Sequence, residues 1–263
     1  MSLRFENQTI LITGASSGIG QQVAYEAARA GAHLVLCSRR ISRLEQVKKE
    51  CERLGALAVT IFSLDIGNLE SIQSLECFLV DKNMQVDILI NNAGFGQDQP
   101  FLEMEIQQVI DLFKVNVLGL MFLTQRIALK MVDQKKGQVI NIASLAGKVS
   151  TPNYAVYDAT KAAVISFSNA LRMELKPLGI QVTVVNFGPV DTPFFDNVGS
   201  ARKEKTMSSP FTLSQEQAGK IVVNTVGTKK REVNRPVLLA IGSKIYSFAP
   251  QLVDYVLLKH YNR

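Results

Sequence analysis

The chain contains no tryptophan, only two histidines and only three cysteines in 263 residues. Each shortage removes a class of chemistry. His33 and His260 lie far apart, so neither a histidine metal site nor a triad built on histidine is expected. Cys37, Cys51 and Cys77 are odd in number and form no C-x-x-C, which argues against a disulfide framework and against a zinc site. No run of about 18 uncharged apolar residues is present, so no transmembrane segment is expected. No basic start followed by an apolar stretch precedes the first strand, and the default location is cytoplasmic. The net charge is +6, but the lysines and arginines are scattered. Their tightest cluster, Lys229-Lys230-Arg231, reads as a solvated loop, so no nucleic-acid partner is expected.

The hydrophobic share of 47% supports a large core, and the length fits a single α/β domain over residues 1–263. Candidate strands are Thr9–Thr13, His33–Ser38, Leu57–Ser63, Val86–Asn91, Gln138–Ala143, Gln181–Phe187 and Pro236–Ile241. Ile88-Leu89-Ile90 and Val182-Thr183-Val184-Val185 are almost wholly apolar, as in strands buried on both faces. Helical patterns lie between them, near Ile19–Ala30, Ser42–Leu54, Leu69–Lys82, Glu105–Val132, Tyr154–Leu178 and Ser214–Val226. The alternation predicts a doubly wound, Rossmann-type parallel β-sheet flanked by helices on both faces, with ligands at the carboxyl ends of its strands. The irregular stretch 193–213 is expected to be a mobile substrate loop.

The first strand runs into Thr13-Gly14-Ala15-Ser16-Ser17-Gly18-Ile19-Gly20 and then a helix. Gly14 permits a tight turn, Gly18 lets a pyrophosphate approach the backbone, and Gly20 allows close helix packing. The helix N-terminus offers N–H donors to the phosphates, and Ser16 and Ser17 add hydroxyls. The second strand ends in Ser38-Arg39-Arg40, with no acid for a ribose 2′-hydroxyl. A 2′-phosphate would be repelled by an acid and gripped by arginine, so NADP(H) is expected, with Arg39 favoured over Arg40 as the phosphate partner.

Farther along, the fifth strand ends at Ser144, and Tyr157 and Lys161 stand four apart, on one face of a helix. An adjacent ammonium favours phenolate and should lower the tyrosine's pKa, so Tyr157 could exchange a proton with a carbonyl or alcohol oxygen. Ser144 could donate a hydrogen bond to the same oxygen, and Lys161 could reach the nicotinamide ribose.

With these motifs the chain resembles the short-chain dehydrogenase/reductase family, in its one-domain form of about 250 residues, over residues 7 to 192. The glycine loop matches. So do Asn91-Asn92-Ala93-Gly94 after the fourth strand, and Ser144, which twelve residues separate from Tyr157. The resemblance implies an oxidoreductase with Asn116, Ser144, Tyr157 and Lys161 as catalytic residues, Asn116 holding a helix bulge and a proton-relay water. It also implies cofactor contacts from Asp65, Ile66, Asn92, Gly94, Val190 and Thr192, a carbonyl or alcohol substrate, and a homodimer or homotetramer paired through helices near 105–132 and 154–178. Phe187 departs from the family, which often has proline there, and its ring could enter the substrate pocket or belong to the core. The pocket is expected to be apolar, from Leu145, Ala146, Val149, Phe194 and Phe195.

Two other readings stand beside the enzyme: a dinucleotide-binding regulator, disfavoured because all four catalytic residue types are present, and a two-lobed epimerase or dehydratase, disfavoured by the lack of a long carboxyl-terminal substrate domain. The tail from Ile245 to His260 is largely apolar. It is either packed on a subunit or an interfacial helix making weak contact with a membrane surface.

Overall fold

The structure is a computed structural model and describes residues 4–195 and 209–261. Seven parallel strands form one sheet in the order β3-β2-β1-β4-β5-β6-β9. They are β1 (Thr9–Thr13), β2 (His33–Ser38), β3 (Ala58–Ser63), β4 (Ile88–Asn91), β5 (Gly137–Ser144), β6 (Ile180–Phe187) and β9 (Glu232–Arg235). A separate two-stranded pair joins β7 (Val190–Asp191) to β8 (Leu213–Ser214). The helices are α1 (Gly18–Arg29), α2 (Ile41–Leu54), α3 (Leu69–Asp81), α4 (Ile106–Phe113), α5 (Leu120–Asp133), α6 (Ala155–Leu175), α7 (Gln215–Val223), α8 (Val237–Phe248) and α9 (Pro250–Tyr261).

Side chains alternate between the two faces of a strand, and the core divides accordingly. Ile10, Ile12, Leu34, Leu36, Ile88 and Ile90 pack on one face with α1, α2 and α7. Leu11, Val35, Cys37, Leu89 and Val139 pack on the other with α3 and α5. This double cover is why these strands read as continuous apolar runs rather than alternating ones. The strand order reverses between β1 and β4. Chain connections leave that gap open at the carboxyl edge, where such sheets bind ligands.

Two sequence readings change here. The helix expected over Glu105–Val132 is divided by a π-helical segment, Lys114–Gly119, between α4 and α5. Single π turns inside a helix shift its register locally and recur at functional sites. The whole run Ile106–Asp133 is long and apolar enough to cross a membrane by length and composition, yet Leu123, Ile127 and Met131 are buried against the sheet. Finally, Pro236–Ile241 is not a strand. The last strand ends at Arg235, and α8 begins at Val237. Pro236 lacks the N–H that a ladder needs, which ends the pairing there.

Ile90 is fully buried between β1 and β5. Ile90→Ala should lower the unfolding free energy by about 2–5 kcal/mol, the range for such truncations. The midpoint of urea denaturation should fall at an unchanged slope; an unchanged midpoint would mean that the core is not packed as described.

Candidate active site

The carboxyl ends of β1 and β4 are laced together by side chains. The Thr13 hydroxyl accepts the N–H groups of Asn92 and Ala93, both at 3.0 Å. The Asn92 amide donates to the carbonyls of Thr13 (3.0 Å) and Gly14 (3.3 Å). Gly14 sits at φ 67°, in the left-handed region, and a Cβ there would lie 2.9 Å from Ala93 Cα. Only glycine fits that turn. Ser16, Gly18 and Gly20 are buried and Ile19 is partly so. Ser17, the N-cap of α1, makes no side-chain cap bond, and the first turn has no acidic residue. Its N–H donors therefore suit an anion.

At the end of β2, the Ser38 hydroxyl accepts the Arg40 N–H at 3.2 Å. The Arg40 guanidinium crosses to the glycine loop, donating to Ser16 (2.9 Å) and Ser17 (2.6 Å). Arg39 is exposed. Arg40, also exposed, is thus the arginine bonded to the glycine loop, where the sequence favoured Arg39 as the phosphate partner. Asp65 is exposed, and its carboxylate accepts the Gly67 N–H at 3.0 Å. Ile66 is buried beside it.

The four candidate catalytic side chains do come together. Asn116 lies in the π segment and is buried. Its amide donates to the Phe95 carbonyl (2.8 Å) and to the Thr160 hydroxyl (3.1 Å), and Thr160 donates to the Tyr157 carbonyl at 2.7 Å. The Lys161 ammonium donates to the Ile142 carbonyl at 3.3 Å and lies 5.6 Å from the Tyr157 ring centre. A Cβ on Gly94 would sit 3.0 Å from Asn116 Oδ1 and 3.5 Å from Lys161 Nζ, so Gly94 forms the floor of a cradle between them. Ser144 hydrogen-bonds Tyr157 and donates to the Phe187 carbonyl at 3.1 Å. Val190 is buried, and Thr192 donates to its carbonyl at 3.3 Å. The Phe187 ring is part of the core and does not enter the pocket; only its carbonyl serves the site.

The electrostatics differ from the simple pairing expected of Tyr157 and Lys161. Burial holds the phenol above its ordinary range; the Ser144 hydrogen bond opposes this, and the charge of Asp158 adds to it. Burial also depresses Lys161 to about 8. The Lys161 ammonium does not offset that desolvation, so the Tyr157 phenol is held in its neutral form.

Gly96, Tyr154 and Thr160 escaped sequence reading, whereas Phe194 was expected in the pocket. Phe194 packs on Tyr157 with ring centres 5.5 Å apart. Gly96 makes room for it, since a Cβ there would overlap the Phe194 ring. Tyr154 meets Tyr157 edge-on at 6.0 Å. Thr160, inside Tyr157-Asp158-Ala159-Thr160-Lys161, was the one with a signal in the sequence. Residues 196–208 of the expected substrate loop lie outside the described residues.

The sequence matches the family model for short chain dehydrogenases over residues 8–203. The chain belongs to the short-chain dehydrogenase family. It is 37% identical over 194 residues to an NADP-dependent 3-hydroxy acid dehydrogenase of Schizosaccharomyces pombe, covering 73% of this chain and 74% of that protein. A hydroxysteroid 11-beta-dehydrogenase 1-like protein A of Xenopus laevis is 34% identical, with 86% of this chain and 77% of that one covered. Among solved structures, the closed form of a serine dehydrogenase complexed with NADP+ aligns at a TM-score of 0.80 and 28% identity, over 88% of this chain and 96% of that one. The Rossmann sheet and its helices are those of this oxidoreductase family.

Asp158, next to the tyrosine, is 5% exposed and accepts the Thr151 N–H at 2.8 Å. Burial lifts its carboxyl to about 6, from an ordinary value near 4. The folded chain therefore holds this proton more tightly than the unfolded chain. Stability is present below about pH 4 and is lost as pH rises toward 6, by on the order of 2 kcal/mol. Asp158→Asn should remove that loss. In melts from pH 4 to pH 7, the variant should be the more stable protein at pH 7, and the gap should close toward pH 4. Parallel curves would refute the assignment.

Proposed function

We propose that this protein is an NADPH-dependent reductase of hydrophobic carbonyl compounds, with Tyr157 as the proton donor. One observation carries the reading: Asn116 and Lys161 meet at Gly94, and Tyr157 stands beside Lys161, Ser144 and Gly96. NADPH when bound supplies the hydride. The chain's own part is to hold the substrate oxygen between the Ser144 and Tyr157 hydroxyls and to release the phenol proton to it as the carbonyl is reduced. Lys161 favours the phenolate left behind and faces the cradle at Gly94, which fits the nicotinamide ribose. Asn92, Val190 and Thr192 border the same cofactor groove, and Asp65 and Ile66 face its adenine end. The neutral, desolvated state of Tyr157 suits reduction.

The relatives' names point to different substrates: one is a 3-hydroxy acid dehydrogenase and the other is named as like a hydroxysteroid dehydrogenase. The aromatic wall of Tyr154 and Phe194 against Tyr157 supports a hydrophobic carbonyl. Subunit pairing is assigned to α4 and α6, where a shallow cavity is lined by Phe101, Val109, Phe113, Ala155, Val156 and Ala159, and Leu102 and Ile106 are exposed.

Tyr157→Phe keeps the ring and removes the proton. Turnover with NADPH and a ketone panel should fall at least about a hundredfold, with NADPH affinity nearly unchanged; parental turnover in this variant would sink the mechanism. Cofactor choice tests the second strand. The parent should prefer NADPH over NADH severalfold in kcat/KM, since a charge-assisted hydrogen bond is worth about 1.5–3 kcal/mol before solvent screening. Arg40→Ala should erase more of that preference than Arg39→Ala. If neither variant changes the ratio, the 2′-phosphate is read elsewhere.

A further inference from the structure

Helix α8 leaves the sheet at Arg235-Pro236, beside the site. Its inner side holds buried Ser243 and places Leu239 against Gly188, the residue that follows Phe187. It also touches the Leu145–Gly147 turn that follows Ser144. The outer side has no cover among the described residues. Val237, Leu238, Ile241, Ile245 and Phe248 are all exposed there, Leu238 by 66% and Phe248 by 90%. At about 100° per residue these five fall within an arc of about 100°, a single apolar stripe. Helix α9 packs against α8 and exposes Leu252, Tyr255 and Leu258, three residues apart.

The charges beside the stripe are mainly cationic. Lys244 is exposed at its border, Lys259 is exposed on α9, and Arg235 stands at the root of α8; Asp254 is the one exposed acid on the described parts of these helices. The chain as a whole carries +6. We infer that α8 and α9 dock this protein on an anionic lipid surface, the apolar stripe entering the acyl boundary and Lys244 and Lys259 meeting the headgroups. Apolar stripes edged by lysine bind interfaces in this way. A second copy is the poorer occupant, because a two-fold pairing of this face sets Lys244 against the symmetry-related Lys244 beside an apolar contact. Docking here turns the edge of the sheet that holds Ser144 toward the bilayer.

The test is co-sedimentation of the full chain with phosphatidylcholine vesicles, with and without phosphatidylserine. The parent should bind the phosphatidylserine vesicles, and binding should weaken as salt is raised. Ile241→Glu with Ile245→Glu should cut binding about tenfold or more, with circular dichroism, Tm and NADPH affinity unchanged. Lys244→Glu leaves the stripe intact and should weaken binding severalfold on phosphatidylserine vesicles; it decides the matter if the double variant does not fold. A parent that stays in the supernatant overturns the inference, and so do variants that bind like the parent. An oligomer that the double variant dissociates, without vesicle binding by the parent, would give this face to a second copy. None of these outcomes depends on the reductase being active.

Discussion

The Thr13 hydroxyl is 1% exposed and accepts two backbone N–H groups from the strand next to it. Those bonds, with the Asn92 amide on the Thr13 and Gly14 carbonyls, hold the glycine loop and the Asn92–Gly94 turn at one height above the sheet. Backbone groups buried at this depth must be paired, so the two loops form together. Gly94 then faces Asn116 and Lys161 across a gap that a methyl group would fill, and the opening between β1 and β4 becomes a groove with donors on its walls.

The candidate catalytic side chains rest on a second set of buried polar contacts. Asn116 reaches Thr160, and Thr160 reaches the Tyr157 carbonyl, so the π segment and α6 are tied in register at the tyrosine. Desolvation then governs the charge of Tyr157, Asp158 and Lys161. It raises Tyr157 and Asp158 and lowers Lys161, pushing all three groups toward their neutral forms. The phenol is therefore neutral as it stands beside the serine hydroxyl.

Much of this could be read along the chain, for identifiable reasons. Apolar runs marked β1, β2, β4, β5 and β6, because strands covered on both faces admit little polar substitution. The glycine loop was legible because a left-handed turn and a helix N-terminus need particular residues at fixed spacing. Tyr157 and Lys161 share a helix face by their spacing alone. The strand expected at Pro236–Ile241 failed because Val237-Leu238-Leu239-Ala240-Ile241 suits a short strand or a helix equally well. What decided it was pairing of Glu232–Arg235 with the edge of β6, a long-range contact.

By itself, then, the sequence determined the doubly wound order of elements, the glycine-rich turn before the first helix and the shared helix face of Tyr157 and Lys161, since each depends on local geometry over a few residues. Only the tertiary structure decided that Arg40 is the arginine at the glycine loop, that Phe187 fills the core while Phe194 covers Tyr157, and that the phenol is held above its ordinary pKa. These outcomes rest on distances between segments far apart in the chain and on how much water the packed elements exclude. Neither quantity has a local signature among the residues concerned.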